Sequence, residues 1–470
     1  MSAIGHQKDY ATPDQRADAI EALKQRFGPH VETGTGIRRQ HANTLTWIAS
    51  EPPDAVVFAT STEDVRDAVV LAGRHHVPII PFGAGTSLEG HVNAPAGGIS
   101  LDLSRMDRIL SVYDQDLDCV VEAGVTRGQL NRHLRDTGLF FPVDPGTEEA
   151  TLGGMAATRA SGTCAVRYGT MRENVLNLTA VMADGSIIKT AQRARKSSAG
   201  YDLTHLLVGS EGTLGVITEL TLRLYGQPES IRAAVAPFAT LDGACNATME
   251  AIQLGLGLAR IELLDALQIR AINLHAKLEL AETPTLFLEF HGTEAATREQ
   301  VAVFEDLARS HGATSFEVAS SEEDRRRLWK ARHEALWACR EAWPGRVSFV
   351  TDVCVPISRL AECVAETEAD IAENGLTAPI VGHVGDGNFH VLVMFDADNS
   401  SELKAAKSFA NRLAHRAIAM GGTCTGEHGV GQGKMDVLEA EHGAAIATMR
   451  TLKQALDPLG ILNPGKIVRL

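Results

Sequence analysis

The chain has no apolar run approaching the ~20 residues that a membrane-spanning helix needs, so no span is expected in its 470 residues. Its opening, MSAIGHQKDY, has no charged stretch leading into an apolar one, and no signal peptide is read there. Cysteine is sparse. The seven thiols (119, 164, 245, 339, 354, 363 and 424) are scattered and form no C-x-x-C pair. That argues against a disulfide framework, an iron–sulfur cluster and a cysteine-bound zinc. Each is expected to be a small buried hydrophobe. A basic excess is missing too: 44 Lys and Arg face 59 Asp and Glu, a net charge of −15. Nucleic acid, which attracts basic faces, is not an expected partner. Internal repeats and low-complexity tracts are absent. The expected location is the cytoplasm, with peripheral attachment to a membrane left open.

What is present fits a large globular protein. A length of 470 residues exceeds one ordinary core, so two or three domains are expected, and 44% hydrophobic residues can fill them. The helix-like DQRADAIEALKQRFG opens an N-terminal segment, 1–47. From 48 to 228, AVVFAT, VPIIPF, ISLDL, CVVEAGV, LTAVMA and VITELTLRL read as short strands. Helices are read at RGQLNRHLRDTG and at STEDVRDAVVLAGRHH, where Ser61 and Asp64 are spaced as a capping box. From 229 to 415, AAVAPF, TLFLEF and HVLVMF alternate with long helices such as EEDRRRLWKARHEALWACREAW. That alternation suggests a separate sheet-and-helix domain. The tail, 416–470, holds an amphipathic helix stopped at Asp457-Pro458.

Glycine is concentrated in three loops. PFGAGTSLEG (81–90) follows a buried strand, and its small residues and hydroxyls can bring N–H and O–H donors around a phosphate. No Gly-Lys-Ser/Thr closes it, and a strand rather than a helix follows, so neither a Walker A loop nor a nicotinamide-type fingerprint fits. An ordinary turn is the alternative. DPGTEEATLGGMAATRASGTCAVRYGT (144–170) and LLVGSEGTLGVIT (206–218) repeat the composition. Glycine loses much backbone entropy on folding, so three such loops are costly as mere connectors. A long dinucleotide lying along all three would use them, which points to FAD in an extended groove.

These loops, in this order and spacing, resemble the FAD domain of the vanillyl-alcohol-oxidase/p-cresol-methylhydroxylase (PCMH) superfamily. With FPVDPG, TDVCVPISRL, GHVGDGNFH and GEHGVG they are similar to its FAD-dependent D-2-hydroxyacid dehydrogenase branch, especially the cytochrome-linked D-lactate dehydrogenases. The resemblance runs from about residue 45 to the C-terminus. It implies an α+β fold: a two-subdomain PCMH-type FAD-binding domain, an antiparallel-sheet-and-helix substrate (cap) domain, and a C-terminal helical segment packing back on the FAD domain. It implies Pro81, Gly83, Ala84, Gly85, Thr86, Ser87 and Gly90 around the pyrophosphate. Pro145, Gly146, Leu152, Gly153, Ala157, Ser161, Gly162, Tyr168 and Gly169 would follow along the flavin. Glu211, Gly212, Gly215, Val216, Ile217 and Asn463 would complete the groove. Some family members bond flavin through a histidine in the first loop. Thr86 stands about where that histidine would be, and His91 lies beyond the cradle, so non-covalent FAD is expected.

The stretch GHVGDGNFH (382–390) is too rich in glycine for a helix. PIVGHV and NFHVLVMF read instead as two strands joined by Asp386-Gly387 as a two-residue turn. That register sets His383 opposite His390, on one face, with Cβ atoms ~5 Å apart. Two imidazoles so placed can grip one metal at ~2.1 Å per bond; a histidine pair without metal is the alternative. Glu427, in GEHGVG, is the candidate third ligand, and the resemblance implies the same set. Zn²⁺, Mn²⁺ or Fe²⁺ suit two imidazoles and a carboxylate, and spacing does not choose among them.

A 2-hydroxy acid chelating such a metal would lose its hydroxyl proton more readily. The expected reaction takes a D-2-hydroxy acid to the 2-oxo acid by hydride transfer to flavin N5. His428, beside Glu427, is the expected base, and Asn388 a candidate partner of substrate or metal. The resemblance aligns Arg332, in LWKARHEAL, with the arginine that holds the substrate carboxylate. Relatives acting on 2-hydroxyglutarate carry a lysine where Val350 stands, so D-lactate or a longer monocarboxylate is expected. The alternative is a D-2-hydroxyglutarate or glycolate dehydrogenase, or the flavin subunit of a larger complex. A metal-dependent hydrolase would leave the glycine loops unexplained. The electron acceptor (cytochrome, quinone or electron-transfer flavoprotein) is not legible, and a homodimer stays open.

Overall fold

The structure, a computed structural model, describes residues 10–43 and 45–470. Its first helix, Pro13–Phe27, starts at Thr12, whose hydroxyl accepts from Gln15 N while the Gln15 side chain accepts from Thr12 N. A strand–helix–strand unit follows at Ala55–Phe58, Thr62–Arg74 and Ile79–Phe82. The helix buries Val65, Ala68, Val69 and Ala72, as their spacing requires. Only half of the expected capping box forms there. Ser61 Oγ accepts from Asp64 N, but the Asp64 carboxylate turns to Thr60 N and Thr60 Oγ1.

Both strands of this unit run parallel to Ile99–Asp102 in a four-stranded sheet. Beside it lies a five-stranded antiparallel sheet ordered Ile109–Tyr113, Asp118–Glu122, Val216–Arg223, Val175–Val181, Ile187–Lys189. The two sheets share one apolar core, with Val57 and Ile79 from the first and Val121 and Leu220 from the second. The C-terminal tail returns to this core. After the helix Ala445–Leu456, Asp457 accepts the N–H groups of Ile461 and Leu462, and Leu462 bridges to Ile79.

A third, wholly antiparallel sheet is the largest. Glu317–Val318, Ser230–Pro237, Thr285–Gly292, Leu258–Leu264, Ile380–Gly382, Asn388–Phe395 and Val347–Val350 follow in order, and Val353–Cys354 also pairs with Asn388–Phe395. Apolar clusters cover both faces: Leu263, Phe290 and Phe389 on one, Leu264, Ile272 and Leu392 on the other. Burial on both sides explains why NFHVLVMF is buried at every position and shows no polar alternation.

The long helix expected over 322–343 is two helices, Glu322–His333 and Ala335–Ala342, broken at Glu334. Gln268 Nε2 donates to the Ala335 carbonyl, so a side chain takes up an acceptor near the break. Arg332 on the first helix and Leu336–Trp337 on the second line the same cavity. All seven cysteines are free thiols and only Cys354 is not fully buried. No described helix is long and apolar enough to cross a membrane.

Candidate active site

A cavity of about 590 Å³ separates the glycine loops from the large sheet. That volume lies in the range of small-molecule and cofactor sites. Residues from the stretches 81–88, 144–163 and 211–217 contribute to one wall; Arg332, His383, His390, Glu427 and His428 contribute to another.

The first loop leaves the strand Ile79–Phe82 with no room for side chains. Gly85 has φ +66°, and a Cβ there would lie 2.9 Å from Phe82 Cζ. Gly212 has φ +70°, and its Cβ would lie 2.8 Å from Pro81 Cγ. Only glycine adopts such backbone at no steric cost. Ser87 Oγ is buried without a partner, and neither ring nitrogen of His91 makes a hydrogen bond. Orphaned buried polar atoms cost roughly 1–3 kcal/mol each, and a phosphate-bearing ligand would relieve that cost. The cradle therefore fits FAD.

Pro81, Gly83, Ala84, Gly85, Thr86, Ser87, Pro145, Gly146, Gly153, Ala157, Ser161 and Gly162 line this cavity, as do Glu211, Gly212, Gly215, Ile217 and Asn463. Five other expected residues do not. Leu152 and Val216 are wholly buried in the core beneath it. Tyr168 turns away to His291, its hydroxyl 2.8 Å from Nδ1. Gly169, at φ +76°, packs on Glu173, and Gly90, at φ +75°, packs on Gln432. His91, expected beyond the cradle, is part of its wall, 3.3 Å from Glu211. Glu211 itself accepts Val430 N and Gly431 N at 2.7 and 2.8 Å, tying the C-terminal segment to the groove.

The histidine pair does converge, through a different turn. Residues Val384–Asp386 form a short 3₁₀ turn, and the ladder pairs Val381, not His383, with His390. The slip is two residues. Side chains alternate with a period of two, so His383 keeps its face. Gly387, at φ +78°, closes the turn where a Cβ would strike the Val355 carbonyl.

Three acceptor atoms then meet. His383 Nε2 and His390 Nε2 each lie 3.1 Å from Oε1 of Glu427. Each ring has its other nitrogen committed: His383 Nδ1 to Glu262 Oε1 at 2.8 Å, His390 Nδ1 to the Thr351 carbonyl at 3.1 Å. A carboxylate or carbonyl can only accept, so Nδ1 carries the hydrogen and a neutral ring turns its Nε2 lone pair to Glu427. Two lone pairs facing a carboxylate call for positive charge. Burial opposes charging His383, but Glu262 and Glu427 outweigh it and hold its pKa well above that of free histidine. Burial also opposes the Glu427 anion, but His383 and His390 hold its pKa well below the usual range. A proton or a divalent cation can supply the charge, and imidazole–imidazole–carboxylate is a donor set that fits the cation.

His428 stacks on His390, with ring centroids 4.8 Å apart and planes 12° apart. Burial is the main cause that lowers its pKa to about 4, so the ring is neutral at pH 7. Its Nε2 is 3.9 Å from Glu427 Oε1 and its Nδ1 has no hydrogen-bond partner. Arg332 donates from Nε to Glu262 Oε2 at 2.8 Å. Its Nη2 lies 2.6 Å from the same oxygen, yet out of line for a hydrogen bond.

Asn388 does not reach the cavity. Its amide donates to Asp352 Oδ1 at 2.8 Å and to the Val353 carbonyl at 2.7 Å, holding the strands around the corner. Two carboxylates were missed in the sequence. Glu262 bridges His383 and Arg332, and its signal is a second charge, after Arg260, in the largely apolar strand LARIELL. Asp352, in TDVCVP, draws residues 425–428 around itself. His390, His428 and Asp352 also lie close enough to hold an ion, but Asp352 is already occupied by those donors.

Comparison with known proteins places the chain in a family. Residues 53–191 match a family described as an FAD binding domain, and 227–467 match the C-terminal domain of FAD linked oxidases. A Danio rerio protein named "Probable D-lactate dehydrogenase, mitochondrial" is 52% identical over 444 residues, covering 94% of this chain and 89% of its own. The "D-lactate dehydrogenase [cytochrome], mitochondrial" of Arabidopsis thaliana is 48% identical over 417 residues, covering 88% and 73%. The crystal structure of p-cresol methylhydroxylase with substrate bound superposes with a TM-score of 0.83 at 17% identity, covering 97% of both chains. The chain has the fold of p-cresol methylhydroxylase and belongs to the FAD-linked D-2-hydroxyacid dehydrogenases, among the D-lactate dehydrogenases.

Proposed function

We propose that the chain oxidises D-lactate or a longer D-2-hydroxy monocarboxylate to the 2-oxo acid, with non-covalent FAD and one divalent metal ion. The observation that carries the metal is the meeting of His383 Nε2, His390 Nε2 and Glu427 Oε1 on one point of the cavity wall. When bound, FAD supplies the hydride acceptor at N5 and the metal lowers the pKa of the substrate hydroxyl. The protein does the rest. Arg332 meets the substrate carboxylate with the guanidinium edge that Glu262 leaves free. His428, neutral at pH 7, accepts the hydroxyl proton at Nε2, the nitrogen nearer Glu427. Leu336, Val350, Val381 and Leu392 face the same cavity and exclude water around the substrate carbon chain.

The cradle residues would hold FAD by backbone and hydroxyl donors, and the unpartnered Ser87 Oγ would be available to its pyrophosphate. Electrons taken up by bound FAD would pass to a separate acceptor (cytochrome, quinone or electron-transfer flavoprotein). The test is a panel of D- and L-2-hydroxy acids with a dye acceptor, before and after chelation. D-Lactate and longer D-monocarboxylates should turn over, L-isomers should not, and chelation should abolish turnover until Mn²⁺ or Zn²⁺ is restored. Full activity in the chelated, metal-free protein would end the metal reading.

A further inference from the structure

We propose that Glu262 is a positioning residue that joins the metal corner to the carboxylate clamp, so that one buried carboxylate sets how both meet a substrate. The inference deepens the reading above and rests on it.

Glu262 sits on the strand Leu258–Leu264 with 0% exposure. Ile261 and Leu263 pack into one apolar cluster and Leu264 into the other. A carboxylate so placed has no water and is kept only if it is paired. Its two oxygens divide the work. Oε1 lies 2.8 Å from His383 Nδ1, and Oε2 takes Arg332 Nε at 2.8 Å. Both partners line the cavity.

The first contact fixes a tautomer and a ring plane. With Nδ1–H held by Glu262, the His383 lone pair must leave from Nε2, toward Glu427. Such outer partners of metal-binding histidines typically carry 10–100-fold in metal affinity. His390 receives the equivalent service from a backbone carbonyl, that of Thr351. The second contact fixes the plane of the Arg332 guanidinium, which is rigid and so points its remaining N–H groups one way.

Charge supports the same assignment. Glu262 and Glu427 offset two of the three positive charges that Arg332 and a divalent ion would bring.

The test uses the full-length flavoprotein with Glu262→Gln, which keeps the shape and removes the charge. FAD content is read by absorbance, Mn²⁺ affinity by titrating chelated protein with Mn²⁺ alone, and KM and kcat for D-lactate with a dye at saturating Mn²⁺. The expected result is a fully yellow protein, 10–100-fold weaker in Mn²⁺, with KM raised at least tenfold. Glu262→Asp, which keeps the charge and withdraws it by one methylene, serves if the first variant does not fold, and should show an intermediate loss of Mn²⁺ affinity. A variant with wild-type Mn²⁺ affinity and KM overturns the inference. If the wild type itself takes up no Mn²⁺, the metal reading falls with the His383 half of this inference, and the KM of Glu262→Gln alone decides the Arg332 half.

Discussion

Asp352 Oδ2 accepts the backbone N–H of His428 at 2.9 Å. The same oxygen takes Glu427 N at 3.0 Å and Thr425 Oγ1 at 2.8 Å, while Oδ1 holds Asn388. The loop that brings a metal ligand and a base into the cavity is therefore wound around one buried anion. Asp352→Ala should cost roughly 3 kcal/mol or more of stability, because the N–H groups of Glu427 and His428, the Thr425 hydroxyl and the Asn388 amide lose a buried acceptor. It should also lower metal content and turnover together while FAD stays bound. Thermal melts, metal analysis and flavin absorbance check this; a variant with normal metal content and normal turnover would show that the loop holds itself.

His428→Gln separates the base from the metal. The ring is not one of the three converging atoms, so metal content should match wild type. General-base catalysis is typically worth 10²–10⁴-fold, and the loss should fall in kcat with KM little changed. A drop in KM-dependent binding with kcat intact would assign His428 to substrate recognition instead.

How far the sequence carries the site depends on which signal each residue leaves. The glycine loops were legible because positive φ and close approach demand glycine, as at Gly85 and Gly212. The histidine pair was legible by parity. The turn was read as two residues and is a 3₁₀ turn, but a two-residue slip keeps the face. A one-residue slip would have parted the rings. The helix break at Glu334 left no glycine or proline in the sequence; tertiary contacts such as Gln268 to Ala335 accompany it. Glu262 was missed because its partners, His383 and Arg332, are 121 and 70 residues away in the chain. Asn388 stands outside the cavity lining, and its Nδ2 is shared by Asp352 and Val353, partners that lie 36 and 35 residues away in the chain.

Ser87 gives a test of the cradle that does not involve catalysis. Its buried Oγ has no protein partner. Ser87→Ala should leave the apoprotein as stable or stabilise it by up to about 1 kcal/mol, because an orphaned polar atom is removed. If the pyrophosphate uses that hydroxyl, the same change should loosen FAD about tenfold, read by flavin release on dilution. Unchanged FAD affinity would place the phosphate elsewhere along the loop.

Asp265 links stability to pH away from the site. It caps the helix Ala266–Ala276, accepting from Gln268 N at 2.7 Å, and burial raises its pKa to about 7. The folded chain thus keeps a proton that the unfolded chain gives up near the usual 3.8. Stability present at low pH is lost as pH rises through that window, by at most about 1.4 kcal/mol per unit. Asparagine also caps well and carries no charge. Asp265→Asn should therefore raise the melting temperature at about pH 8 and change it little at about pH 4. Equal shifts at both would assign the gain to something other than ionisation.

Val350 tests the choice between mono- and dicarboxylates. It faces the cavity near Val381 and Leu392, so this stretch of wall offers no charge to a second carboxylate. A dicarboxylate would bury its distal anion against alkyl groups, which costs several kcal/mol unless a cation meets it. Val350→Lys supplies that cation on a flexible stem. The variant should raise kcat/KM for D-2-hydroxyglutarate relative to D-lactate at least tenfold, since a partly buried charge-assisted contact contributes about 1.5–3 kcal/mol. The D-lactate rate should fall, because the new ammonium has no partner when the small acid is bound. If the ratio does not move, the distal end of the substrate points away from residue 350, and preference for monocarboxylates must be set on the opposite side, near Leu336 and Trp337.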